Sequence, residues 1–116
     1  MKIALTLLLA LFGASSVALA QAPKGDAAAG AKLNASCIGC HGIPGYQSSF
    51  PEVHRVPMIS GQNAQYIAGA LNAYKKGDRK HPSMRAVAAS LSEQNIADLA
   101  AYYATHGAPP AVADTA

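Results

Sequence analysis

Apolar residues are spread unevenly along this 116-residue chain. Residues 3–12 form a nearly unbroken apolar run, too short to span a bilayer comfortably. Beyond it the pattern becomes helical. Asp26 is a good N-cap, and the alanine-rich residues 27–36, interrupted by Gly30, predict a helix that runs into Cys37. Gly39, Gly42, Pro44 and Gly45 predict the end of regular structure. Residues 42–61, punctuated by Pro51, Pro57, Ser60 and Gly61, read as one long loop of the kind usually kept for function. Tyr66, Ile67, Ala70, Leu71 and Tyr74 recur at 3.6 spacing and predict a helix over 63–76, with Lys75 and Lys76 in its last turn and Gly77 as its stop. A second loop, 78–84, contains Pro82 and Met84, and a short helix is expected over 85–90. Ser92 and Glu93 open the last helix, whose buried stripe is Ile96, Leu99, Ala100 and Tyr103 and whose stop is Gly107, followed by Pro109 and Pro110. No stretch alternates with period two and no segment repeats. The expected fold class is all-α, with about four helices.

The apolar run belongs to a larger pattern. Lys2 precedes it and Ala18-Leu19-Ala20 follows, which together read as a secretory signal cleaved before Gln21. The expected organisation is a signal peptide at 1–20, one domain at 21–107 and a flexible tail at 108–116. Export places the product in the periplasm, with no membrane insertion of the mature chain. Without Lys2, eight Lys and Arg face six Asp and Glu. That weak positive balance, with no basic run of the required kind, argues against a nucleic-acid binder. Large core residues are scarce: Phe50 is the one mature phenylalanine, there are five tyrosines, and tryptophan is absent. A small domain so supplied needs a staple, and a large flat apolar cofactor would serve.

The candidate chemistry lies at Cys37-Ile38-Gly39-Cys40-His41. In an exported protein two cysteines suggest a disulfide, but Cys-x-x-Cys-His is the attachment pattern of haem c. The two thiols are spaced to add to the two haem vinyl groups, and the following imidazole falls beneath the tethered ring. A zinc site would need two more clustered ligands, whereas His54, His81 and His106 are scattered. A thioredoxin-like pair would need a βαβ setting, which the pattern lacks. For the sixth iron position, a thioether suits an electron carrier by raising the potential and closing the metal. Met84 is the favoured candidate, because a helix between it and the first loop lets the chain cross to the other haem face. Met58, His54 and His81 are the alternatives, and either methionine could simply fill an apolar gap.

With these residues in view, the chain resembles the class I c-type cytochromes, specifically the small bacterial periplasmic group. The resemblance runs from about Gly25 to Ala104 and rests on Gly25-Asp26-Ala27-Ala28-Ala29-Gly30, the Cys37–His41 motif, Pro57-Met58-Ile59-Ser60-Gly61-Gln62, His81-Pro82-Ser83-Met84, and Ile96 to Tyr103, in that order. It implies an all-α fold around one covalent haem c, with His41 and Met84 as axial ligands. It further implies that the carbonyl of Pro57 accepts a hydrogen bond from His41 Nδ1, and that the first and last helices cross with Gly30 close to Tyr103. Two features depart from the family pattern: the 46–55 stretch is longer than in many relatives, and Ser83 stands between Pro82 and Met84.

The expected function is one-electron transfer between redox partner proteins in a respiratory chain, without enzymatic chemistry, by a monomer or in transient complexes. The alternative is a dedicated electron-transfer subunit of a periplasmic dehydrogenase or oxidase, with the 46–55 loop as its contact. Lys75, Lys76, Arg79 and Lys80 form a basic cluster suited to steering an acidic partner, or simply to complementing a helix end.

Overall fold

The computed structural model describes residues 21–105. The expected signal peptide, the Gly107 stop and the tail lie outside the described residues. The regular structure of the described residues is helical apart from one short ribbon, with loops between. Its elements are α1 (Ala27–Leu33), α2 (Ala35–His41), β1 (Gln47–Ser48), β2 (His54–Arg55), α3 (Ala64–Lys76), α4 (Pro82–Ala89) and α5 (Glu93–Thr105).

The caps fall where the side chains dictate. Asp26 accepts the Ala28 N–H at 2.8 Å, Asn63 accepts that of Tyr66 at 3.1 Å, and the Ser92 hydroxyl accepts that of Asn95 at 3.0 Å. Each satisfies an amide that the first turn leaves without a helical partner. Gly77 ends α3 in the left-handed region at φ 89°, donating back to the carbonyls of Ala73 and Tyr74. A side chain there would be strained.

α1 crosses α5, α5 packs on α3, and α3 packs on α4. Ile67 and Leu71 of α3, Ala88 of α4, Leu91, and Ile96, Leu99, Ala100 and Tyr103 of α5 form the core. The α1–α5 crossing is close because two glycines face α5. A Cβ on Gly30 would lie 2.1 Å from the Asp98 carbonyl oxygen, and one on Gly25 would lie 2.1 Å from that of Ala97. The approach at Gly30 is thus to Asp98 and Tyr102, rather than to Tyr103 as the resemblance implied. Asp98 is buried in α5, yet its carboxylate accepts from the Asp26 N–H and from Gln94 Nε2, each at 2.8 Å. It therefore ties the entry of α1 to α5.

Three local differences from the sequence reading have physical causes. The first predicted helix is two helices, and α2 carries the Cys37–His41 motif as helix to its last residue. The break falls at Asn34, whose side chain is bonded to α5: Nδ2 donates to the Tyr102 hydroxyl at 3.2 Å, and Oδ1 accepts from the Tyr103 hydroxyl. Secondly, the 42–61 loop is stapled by a two-residue antiparallel ribbon, Gln47 facing Arg55 and Ser48 facing His54, continued by the Val56 N–H to the Tyr46 carbonyl at 2.9 Å. Strands this short carry no readable alternation. Finally, Met84 is not in a loop but in the first turn of α4, which starts at Pro82 with His81 as N-cap. Proline lacks the amide that a first helical residue leaves unpaired, so it begins this helix rather than interrupting it.

Candidate cofactor site

A cleft of about 430 Å³ opens between α2, the 48–62 segment, α3 and α4. The face of α3 predicted from periodicity supplies much of its wall: Tyr66, Ile67, Ala70, Leu71 and Tyr74 all line it. Ile67 and Leu71 are shared with the core, whereas Tyr66 is 56% exposed. An apolar helix face left open in this way is built to receive something flat and apolar. Val56, Met58 and Ile59 continue the wall, and Met84 reaches it from α4.

α2 brings the motif to this cleft. None of its residues is fully buried. Cys40 and His41 line the cleft, while Cys37 is half-buried and packs on the core. No disulfide joins the two cysteines. Positions 37 and 40 lie about one helical turn apart, so they share one side of α2. Cys37 also approaches Tyr103. Burial pushes the Tyr103 phenol above its ordinary value, and the neighbouring Cys37 and Tyr102 add to the effect.

His41 Nδ1 lies 2.6 Å from the carbonyl oxygen of Pro57. A carbonyl only accepts, so Nδ1 carries the hydrogen, and in the neutral imidazole Nε2 is left with its lone pair. A ring fixed in this way is oriented and made more basic as a metal ligand. The segment that supplies the carbonyl is itself anchored, because Gly61 N–H donates to the Tyr103 carbonyl of α5 at 2.9 Å. Met58 follows Pro57 directly and lines the same cleft.

The other predicted candidates separate. His54 and His81 also border the cleft but engage each other, Nε2 to Nε2 at 3.2 Å. The basic cluster divides: Lys75 donates to the Leu91 carbonyl and lies 3.9 Å from Glu93, and Arg79 sits over the Tyr74 ring, 4.6 Å from its centroid. Asn34 and Asp98, which hold α1 and α2 to α5, escaped the sequence reading. The available signals were a poor helix former three residues before Cys37 and a lone acid among the apolar residues of α5.

The two unbridged cysteines, the oriented imidazole and the open apolar face suit a haem held by thioethers. The donor set suits a bare metal ion less well, since no group of three His, Cys, Asp or Glu residues is placed to hold one among the described residues. A family model described as Cytochrome c matches residues 27–106. The chain belongs to the cytochrome c family. Cytochrome c-554(548) of Halomonas halodenitrificans is 40% identical over 84 residues, which cover 70% of this chain and 96% of that one. Cytochrome c4 of Thiocapsa roseopersicina is 40% identical over 97 residues, 82% of this chain but 48% of its own. A thiosulfate dehydrogenase electron acceptor of Stutzerimonas stutzeri is 34% identical over 76 residues, 61% of this chain and 32% of its own. The present cytochrome therefore spans nearly all of the first relative and about half or less of the other two. It is a class I c-type cytochrome with an all-α fold and covalently attached haem c, and it serves as an electron carrier. No helix among the described residues is long and apolar enough to cross a membrane.

Proposed function

We propose that this cytochrome is exported, cleaved before Gln21, and shuttles single electrons between protein partners in the periplasm, as part of a respiratory chain and without enzymatic turnover. On this reading residues 21–107 are the working domain and 108–116 a tail. The observation that carries the site assignment is the 2.6 Å bond from His41 Nδ1 to the Pro57 carbonyl at the edge of an apolar cleft. It leaves Nε2 as the nitrogen able to bind iron.

Cys37 and Cys40 would hold the haem through thioethers, His41 would be one axial ligand and Met84 the other. Once bound, the haem supplies one-electron exchange between Fe(III) and Fe(II). The protein's part is to fix the ligands, exclude water from the metal and hold the cofactor against α3. Met84 is preferred to Met58 because the Pro57 bond keeps Met58 beside His41, whereas Met84 comes to the cleft from a separate helix. A thioether ligand raises the potential and leaves no position for an outside ligand, as a carrier requires.

Mass spectrometry of protein from a host that attaches haem c tests the linkage: the mature chain should carry one haem, and Cys37→Ala or Cys40→Ala should weaken or abolish the covalent product. Met84→Ala should keep the haem, open the sixth position to carbon monoxide or cyanide, and lower the potential. An unchanged spectrum in that variant would refute the assignment of Met84.

A second reading, a permanently bound subunit of a periplasmic dehydrogenase or oxidase, is favoured by one feature. Phe50 and Val53, at the turn between β1 and β2, are 62% and 74% exposed. The similarity to an electron acceptor of thiosulfate dehydrogenase is compatible with it. Stoichiometric co-purification with a larger redox protein, lost in Phe50→Ser/Val53→Ser, would select this reading over the free shuttle.

A further inference from the structure

The long 46–55 segment carries, one residue before its end, a histidine that is linked to the start of α4. His54 Nδ1 lies 2.8 Å from the Glu52 carbonyl, and its Nε2 lies 3.2 Å from His81 Nε2. The rings meet edge to face, with centroids 4.9 Å apart. His81 Nδ1 in turn lies 3.3 Å from the backbone nitrogen of Met84.

The proton count allows one arrangement for a neutral pair. The Glu52 carbonyl only accepts, so His54 carries its hydrogen on Nδ1 and leaves Nε2 bare. The Met84 amide only donates, so His81 keeps Nδ1 bare and carries its hydrogen on Nε2. The middle contact then has one donor, His81, and one acceptor, His54. Three bonds run in series from the Met84 amide to the Glu52 carbonyl, each satisfied.

The same count opposes a metal at the pair. A metal would need both Nε2 atoms bare, which would set an Nδ1 hydrogen of His81 against the Met84 N–H. Nor do the described residues offer a third donor.

We propose that His54 is a positioning residue for the sixth-ligand segment: by holding the His81 ring from the ribbon, it fixes the first turn of α4 and so the place of Met84. This inference rests on Met84 being the sixth ligand. α4 needs such help, since its first turn has no acidic residue and its cap is a histidine at the long end of hydrogen-bond range. A ring bonded on one side only can turn out of line, whereas one bonded on both sides is held. The register Ser48 opposite His54 gives the ribbon its purpose, which is to present this imidazole to α4.

The test is the rate at which cyanide binds the ferric holoprotein, together with the Met-to-iron charge-transfer band. Met84→Ala should bind promptly and lose the band. His54→Ala should keep covalent haem and helix content but bind cyanide about fivefold faster, the equivalent of one net hydrogen bond. His54→Gln, which restores an acceptor for His81, should return to the wild-type rate. Should His54→Ala fail to fold, His54→Leu against His54→Gln makes the same comparison. In a His81→Asn background, which keeps a cap acceptor but lacks the Nε2 hydrogen, His54→Ala should add nothing.

A wild-type rate for the variants that lack the acceptor, alongside an open Met84→Ala, would overturn the positioning role and leave the ligand intact. Undiminished acceleration in the His81→Asn background would overturn it too. A closed Met84→Ala would instead refute the ligand assignment, and this inference with it.

Discussion

Asn34 holds both tyrosines of α5 with one amide, donating to Tyr102 and accepting from the buried Tyr103 hydroxyl. Asn34→Ala would leave the Tyr103 hydroxyl without that acceptor in an apolar setting, at a cost of about 1–3 kcal/mol. Urea titration of the holoprotein should show the midpoint fall with little change in slope. Tyr103 also predicts an alkaline limit. Its folded-state value is raised above the ordinary 10.0, so below that pH both states are protonated and its contribution to stability is complete. Above it the unfolded chain loses the proton first, and stability declines as pH climbs toward the raised value. Once Cys37 is a thioether, burial and Tyr102 remain as the causes. Tyr103→Phe should flatten the loss above pH 10.0 while lowering stability at neutral pH, as followed by thermal unfolding across that range.

At the scale of elements, the α1–α5 crossing is the joint that tolerates least. Gly30→Ala would set a methyl group 2.1 Å from the Asp98 carbonyl oxygen, so the helices would have to separate. Overpacking of this kind costs about 1–3 kcal/mol, and more where backbone must move. Gly69→Ala, with nothing near its Cβ on the outer face of α3, should instead be neutral or stabilising by up to about 1 kcal/mol, from helix propensity. Thermal unfolding of the two variants side by side checks both. The helices themselves were legible in sequence: α3 and α5 fall where 3.6 periodicity placed them, and Asp26, Ser92 and Gly77 cap as expected. The start of α4 was not, because Pro82 reads equally as a loop residue or a first helical residue until His81 is seen to cap it.

For the whole molecule, the core among the described residues is small, and α2 and much of one face of α3 lie outside it. The haem would complete the packing by occupying the cleft. Filling the cleft would cover Tyr66, Ala70, Tyr74 and Met84, and apolar burial is worth about 25 cal/mol per Å². The double variant Cys37→Ala/Cys40→Ala, prepared free of haem, should lose its cooperative thermal transition and show helix content well below that of the holoprotein. Circular dichroism of both forms measures this. A haem-free chain that melted as sharply as the holoprotein would mean the polypeptide packs alone.

The attachment motif was legible in sequence alone, because two thiols and an imidazole within five consecutive residues are brought together by the chain itself, whatever the rest of the fold does. The same holds for the helices with strong periodicity and local caps. Of the contacts that join distant segments, family resemblance anticipated the Pro57 carbonyl to His41, and the tertiary structure decided Asn34 to α5, His54 to His81, and which part of the α3 face is core and which is cleft. A hydrogen bond between residues 16 or more positions apart leaves no periodicity in the sequence, since its geometry depends on how whole helices pack rather than on its neighbours in the chain.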